Sequence, residues 1–255
     1  MAARSASFIA LTGIPEIAAG EDLSAHLERA LGRASLAPQA HDVLIVAQKI
    51  VSKAEGRRVR LADVEPSARA LELARITHKD PRLIEVILSE SERVVRAAPQ
   101  VLIVRHRLGF VMANAGVDRS NVALDQAGEV LLLPRDPDAA ASALREALAA
   151  RLGVRFGVIV SDSFGRPWRR GVVNVALGVA GLPALIDRRG EADRHGRRLE
   201  VTEVAFADAV AAAAALIMGE AAEGTPAVLA RGLTWDAPER AGNALLRPVA
   251  EDLFL

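Results

Sequence analysis

Four short runs rich in branched apolar residues, DVLIVA (42–47), VLIV (101–104), EVLLL (129–133) and RFGVIVS (155–161), recur along a chain whose other stretches carry helical patterns. This alternation constrains the fold more than any other feature. Runs without polar alternation predict strands covered on both faces. A fifth run, VVNVALGVAG (172–181), predicts another strand, loosened by glycine. Among the helical patterns, DPRLIEVILSESERVV opens on Asp80 and Pro81 and sets Leu83, Ile84, Ile87 and Leu88 in one stripe. DPDAAASALREALAARLG repeats the device with Asp136 and Pro137 and stops at Gly153. EDLSAHLERALGRA places Leu23, Leu27 and Leu31 four apart, and VAFADAVAAAAALIMGEAAEG predicts a long helix that runs out near Gly224. The expected fold is α+β, with mixed sheets and flanking helices. No internal repeat or Gly/Ser linker divides the chain. A single domain over 1–255 is expected, or two intimate subdomains with a seam near 136–152.

Composition narrows the function. Lys+Arg and Asp+Glu are equal, 32 each, so no global field draws the chain to nucleic acid or an anionic membrane. Six Phe, two Trp and no Tyr offer few platforms for base stacking. A chain of 255 residues that is 51% apolar and 25% charged fits a soluble globular protein with a substantial core. Cysteine is absent, which removes disulfides, thiolate metal sites and cysteine nucleophiles and agrees with a cytoplasmic location. The first residues lack the h-region of a signal peptide, and no apolar run reaches about 18 residues, so no transmembrane helix is expected.

Five segments carry side chains suited to chemistry. SDSFGRPWRRG (161–171) sets Asp162 and Ser163 at a strand end, followed by Arg166, Arg169 and Arg170. A carboxylate and a hydroxyl are hard oxygen ligands for magnesium or manganese, and the arginines are phosphate forks, in a loop that Pro167 and Trp168 would stiffen. The same residue types also make an ordinary solvated loop. NAGVDRSNV (114–122) offers Asp118 to a cation and Asn121 to a ligand, or is a capped turn. QKIVSKAEGR (48–57) follows a strand and spaces Lys49 and Lys53 four apart, as a phosphate clamp or a basic surface. MGEAAEGTP (218–226) ends the alanine-rich helix with Glu220 and Glu223 on one expected helical face, one of them a potential metal ligand. The arginine-rich stretch 187–200, which contains His195, is either a lid for an anionic substrate or an exposed hairpin turn. Walker A, GxGxxG, HExxH and GxSxG patterns are all absent. Hard-cation ligands beside phosphate-binding cations are a kit for phosphoryl chemistry.

Taken in order, GIPEI (13–17), QKIVSKAEGR, NAGVDRSNV, SDSFGRPWRRG and MGEAAEG form a combination that resembles the coenzyme F-420:L-glutamate ligase family, the γ-glutamyl ligases of the deazaflavin coenzyme, over about residues 13–232. The chain looks like the stand-alone version, without a fused nitroreductase-like domain. The resemblance implies joining of L-glutamate to coenzyme F-420-0 with GTP as co-substrate and Mg2+ or Mn2+ as cofactor, K+ being a further candidate cation, in an intertwined homodimer. It implies GTP contacts at Ile14, Pro15, Glu16, Ile17, Gln48, Lys49, Lys53 and Asn121. The segment Met218, Gly219, Ala221, Ala222, Glu223, Gly224 and Thr225 would close over the nucleotide. Asp118, Asp162, Ser163 and Glu220 would be metal ligands. Asp118, Asp162 and Arg166 are the residues expected to carry catalysis, through an acyl phosphate. Two departures bear on metal choice: Glu220 stands where relatives often carry glutamine, and Asn174 where they often carry aspartate; Gln48-Lys49 also varies among relatives. Two other readings stay open on the motifs alone: a ligase joining a different acid and amine, and a regulatory protein that binds nucleotide and metal without turnover. The tail 234–255, with Leu245, Leu246, Leu253 and Phe254, is expected to dock on a partner surface, such as the other subunit.

Overall fold

The computed structural model describes residues 5–118 and 128–252. In chain order the elements are β1 (Ser7–Ala10), α1 (Leu23–Arg33), β2 (Val43–Ala47), α2 (Gln48–Ala54), β3 (Arg58–Arg60), α3 (Ala68–Thr77), α4 (Pro81–Ser89), β4 (Ser91–Ala98), β5 (Val101–His106), β6 (Val111–Ala113), β7 (Glu129–Leu131), α5 (Pro137–Leu152), β8 (Gly157–Arg166), β9 (Arg169–Ala180), β10 (Leu185–Asp187), β11 (Glu203–Ala205), α6 (Phe206–Met218) and β12 (Ala227–Arg231). The main sheet has the order β1-β12-β2-β8-β9, and only β2 and β8 run parallel.

The two parallel strands are buried on both faces, as their unbroken apolar runs predict. Leu44, Val46, Val158 and Val160 point to a core shared with Leu27 and Leu31 of α1 and Leu148 of α5. Their alternates Val43, Ile45 and Ile159 point to a second core under α6, with Ala207, Val210, Ala211 and Ala214. The small residues of α6 let it lie close to the sheet. At Gly178 a Cβ would come within 1.9 Å of the Pro137 carbonyl oxygen, so only glycine lets the start of α5 sit on β9. A third core, built on Leu73, Ile84, Ile87, Leu102, Val104 and Val130, unites α3, α4, β5 and β7 in a smaller lobe. The strands β4-β5-β6 form its three-stranded sheet.

Several expectations are corrected. The run 161–171 is a β-hairpin rather than a loop: β8 continues to Arg166, Arg166 pairs with Arg169, and Trp168 has φ +57°. Proline followed by a left-handed residue suits a type II turn. The pattern from 80 onward is helical only to Ser89; Val94 and Val95 lie in β4, where the β-branched pair favours a strand. The strand at 101–106 alternates in burial instead of being covered on both faces. α6 ends at Met218, not near Gly224, because Gly219 takes φ +72°. Glu220 and Glu223 therefore lie beyond the helix and share no helical face. Leu245 and Leu246 pack against cores of their own chain. Leu253 and Phe254 lie outside the described residues.

The helix starts predicted at Asp80 and Asp136 are found, and Asp22 adds a third cap that was not predicted from the sequence. Asp22, Asp80 and Asp136 each accept a backbone hydrogen bond from the first turn of α1, α4 and α5.

Candidate functional site

β2 passes into α2 with no intervening loop: Ala47 ends the strand and Gln48 begins the helix. The parallel neighbour β8 runs on, the last paired residues being Ala47 and Ser161. Asp162 and Ser163 thus project past the carboxyl end of β2, where parallel strands leave a crevice. Lys49 and Lys53 sit four apart on α2, on one helical face above that crevice.

Two cavities meet there. The first, about 460 Å³, is lined by Ile14, Pro15, Glu16 and Ile17, by Gln48, Lys49 and Lys53, by Asp162, Ser163 and Asn174, and by every residue from Met218 to Pro226. Four segments far apart in sequence therefore form one wall. Lys53 Nζ lies 2.6 Å from Glu16 Oε1, which fastens the GIPEI segment to α2. Gln48 accepts a hydrogen bond from Ser52 at 2.8 Å. At Gly219 a Cβ would strike the Glu223 side chain at 2.1 Å; with glycine there, the Glu223 carboxylate folds back and accepts from the Ala221 N–H at 2.8 Å.

The second cavity, about 970 Å³, lies between the hairpin and the small lobe. Arg166, Trp168 and Arg169 line it from the hairpin, and Arg96, Ile103 and Met112 from β4 to β6. Both volumes suit small-molecule sites. Gln48, Lys49, Asp162, Ser163 and Glu220 line both cavities; Asp118 lines the second. Asp118 is reached through three consecutive residues with positive φ: Asn114 (+53°), Ala115 (+53°) and Gly116 (+67°). Asparagine tolerates left-handed backbone, but Ala115 does not do so freely, and that strain lies just before Asp118. Asp118 is then pinned by a two-way backbone bridge to Leu131, at 2.9 Å each way.

Burial pushes the Asp162 carboxyl up to about 7. The neighbouring Asp118 and Glu220 carboxylates add to the rise, while the Ser163 N–H and Lys49 oppose it. Lys49 Nζ meets Asp118 Oδ2 at 2.7 Å. Among the described residues no three His, Asp or Glu side chains converge into a ready metal cage. The donor set nonetheless fits a hard divalent cation: it offers oxygens only, and Asp118 and Glu220 each repel the Asp162 carboxylate. Ser161 Oγ and Asn174 Oδ1, both lining the first cavity, are buried without a hydrogen-bond partner among the described residues.

The structure brings together the predicted Asp118, Asp162, Ser163, Glu220, Lys49, Arg166 and GIPEI residues. Asn121 lies outside the described residues. Arg170 and the stretch 187–200 with His195 line neither cavity; that stretch is an exposed hairpin excursion between β10 and β11. Sequence reasoning missed the β4–β6 wall with Arg96. The run VLIV gives no sequence signal for it, because the alternation of β5 is in burial and not in residue type.

The model of the family described as F420-0:Gamma-glutamyl ligase matches residues 13–232. The chain is 44% identical over 250 residues to the "Coenzyme F420:L-glutamate ligase" of Methanothermobacter thermautotrophicus, covering 97% of this chain and 98% of that one. It is 49% identical over 218 residues to the protein of the same description from Methanopyrus kandleri, covering 84% and 85%. The relative from Haloarcula marismortui, again so described, is 44% identical over 243 residues, covering 93% and 90%.

Proposed function

The chain belongs to the F420-0:gamma-glutamyl ligase family, and from that premise we propose that it is a GTP-dependent ligase that adds L-glutamate to coenzyme F420-0, releasing GDP and phosphate. The observation that carries this reading is the junction of two cavities over one acidic floor. GTP occupies the first cavity, its phosphates running toward Lys49 and Lys53. The acceptor occupies the larger one, with its terminal carboxylate at Asp162. An oxygen of that carboxylate bonds to the γ-phosphorus as the bond from phosphorus to the β–γ bridging oxygen breaks. GDP leaves, and an acyl phosphate remains. The amine of L-glutamate then bonds to the acyl carbon, the carbon–oxygen bond to phosphate breaks, and phosphate departs with the amine proton.

No side chain need act as a nucleophile. Asp118, Asp162, Ser163 and Glu220 would hold Mg2+ or Mn2+, which when bound neutralises two anions that must approach each other. Lys49 and Lys53 hold the phosphate tail, and Arg166 receives an acidic group of the acceptor. The reading includes a cytoplasmic homodimer. Trp168 at 83% exposure, Leu216 at 85% and Val172 at 50% are apolar surface that a second subunit would cover.

The test is purified protein incubated with GTP, Mn2+, L-glutamate and F420-0, with GDP followed by chromatography and the coenzyme by mass spectrometry. GDP release needing both acceptor and glutamate, with a mass gain of one glutamyl residue, is the expected result. Release with a different acid would keep the ligase class and move the substrate; GTP binding without any release would overturn the proposal.

A further inference from the structure

We propose that Asn174 is an additional ligand of the divalent cation, an inference that rests on the cation-assisted reading above. Asn174 lies on β9 directly across from Ser163 on β8. Opposed residues of an antiparallel pair have Cβ atoms about 5 Å apart on the same face of the sheet. Its Nδ2 stands 3.9 Å from the Met218 sulfur, and Glu220 follows Met218 by two residues. The amide therefore sits between two residues of the expected ligand set, and all of them line the first cavity.

Its environment gives the amide oxygen no other employment. The residue is 7% exposed, and Oδ1 is buried without a hydrogen-bond partner among the described residues. Met218 touches it, and Ala176, two residues further along β9, shares its face. Leaving a buried carbonyl unsatisfied costs about 1–3 kcal/mol, so a purely structural role would favour an apolar side chain here. Ser161, two residues before Ser163 on the same strand, also lines this cavity, and its Oγ is likewise buried without a partner among the described residues. The Asn174 amide oxygen can only accept, so beside carboxylates it suits a cation rather than an anion. A neutral amide oxygen is a hard ligand that adds coordination without adding charge repulsion.

The experiment titrates Mn2+ alone into the full-length protein, reading free Mn2+ by electron paramagnetic resonance, with melting curves of the metal-free proteins alongside. For Asn174→Leu, close in shape but without donor or acceptor, Mn2+ affinity is expected to fall by about tenfold or more. The metal-free melting temperature should stay level or rise, because an orphaned polar group is gone. Asn174→Asp is expected to restore or tighten binding, and Asn174→Ala gives the same reading as Leu should the larger side chain disturb the fold. Wild-type affinity in Asn174→Leu and Asn174→Ala, with binding lost in Asp162→Asn, overturns the role of Asn174 and leaves the ligase reading in place. A wild-type protein that binds no Mn2+ overturns both.

Discussion

Lys49 Nζ rests 2.7 Å from Asp118 Oδ2, so the residue expected to hold phosphate is tied to one expected to hold metal. The pair joins α2, on the main sheet, to the segment leading from β6 of the small lobe. The Lys49 charge also opposes the effect of Asp118 and Glu220 on Asp162. A cation entering the site competes with this ammonium for Asp118, and phosphates entering the first cavity draw the ammonium the other way.

Lys49→Met should therefore split two properties that usually move together. With the ammonium gone, a positive charge that competes for Asp118 is removed, and Mn2+ should bind the nucleotide-free protein more tightly than it binds wild type. GTP turnover should fall by on the order of a hundredfold, the loss seen when one preorganised charge donor is removed. A Mn2+ titration and a GDP-release assay on the same preparation decide it. Weakened metal binding together with lost turnover would mean that Lys49 only holds the loop in place.

Arg166 divides the two cavities kinetically. It lines only the larger one, and its Nη1 is buried without a hydrogen-bond partner among the described residues, while Nη2 donates to the Arg170 carbonyl at 3.3 Å. An orphaned guanidinium nitrogen beside a cavity is suited to an anionic group of a ligand. Arg166→Met should raise KM for the deazaflavin acceptor by about tenfold or more, the worth of one charge-assisted hydrogen bond, and leave KM for GTP within a factor of two or so. Initial-rate measurements with each substrate varied in turn give the answer; equal rises in both constants would remove the assignment.

Much of this site can be read in the sequence because its parts are short motifs at element junctions. Asp162 and Ser163 follow an unbroken apolar run, which reads as a strand end; the strand in fact continues to Arg166, and only its pairing with β2 stops at Ser161, whereas the start of α5 is legible from Asp136 and Pro137. The hairpin was not, since glycine, proline and three arginines suggest a solvated loop until the partner strand Arg169–Ala180 is known to pair back. The end of α6 was misread because alanines and glutamates favour helix, and nothing local shows that Glu223 folds back over Gly219. Asn174 was visible only as a departure from relatives. Its meaning depends on which residue faces it across β8, and that is a matter of register.

Asp162→Asn should make the metal-free protein more stable while abolishing catalysis. Burial first, then the Asp118 and Glu220 charges, raise this carboxyl from 3.8 to about 7 in the folded state. An acid whose folded value is raised penalises folding when ionised. The penalty is absent below pH 3.8, grows between pH 3.8 and 7, and is complete above 7. The full gap corresponds to at most about 4 kcal/mol. At pH 8 the asparagine variant should melt about 5 °C or more above wild type, and the two should converge toward pH 4. Melting curves without metal across that range test this; a destabilised variant at pH 8 would show that the carboxylate is well compensated. Saturating Mn2+ should narrow the difference by stabilising only the wild type.

Glu90 shows the opposite dependence, away from the site. Its carboxylate accepts from Arg57 Nη2 at 2.7 Å and from Arg107 Nη2 at 3.1 Å, and His106 Nε2 stands 3.5 Å away. The Leu108 N–H donates to His106 Nδ1 at 2.9 Å, which leaves the ring proton on Nε2, facing Glu90. Burial alone would raise the Glu90 value, but the nearby His106 ring and the Arg57 and Arg107 contacts outweigh it and hold the carboxyl down at about 2. A lowered folded value means stability that is fully present above pH 4.5 and lost as pH falls toward 2. Arg57 also donates to the Leu133 carbonyl at 2.9 Å, so the cluster ties the small lobe to the strand that follows α2. Glu90→Gln should cost about 3 kcal/mol at pH 7 by leaving a buried guanidinium uncompensated. It should also flatten the fall in stability between pH 4.5 and 2. Urea midpoints at a series of pH values measure both effects, and a variant whose acid limb matches wild type would place the acid sensitivity on other carboxylates.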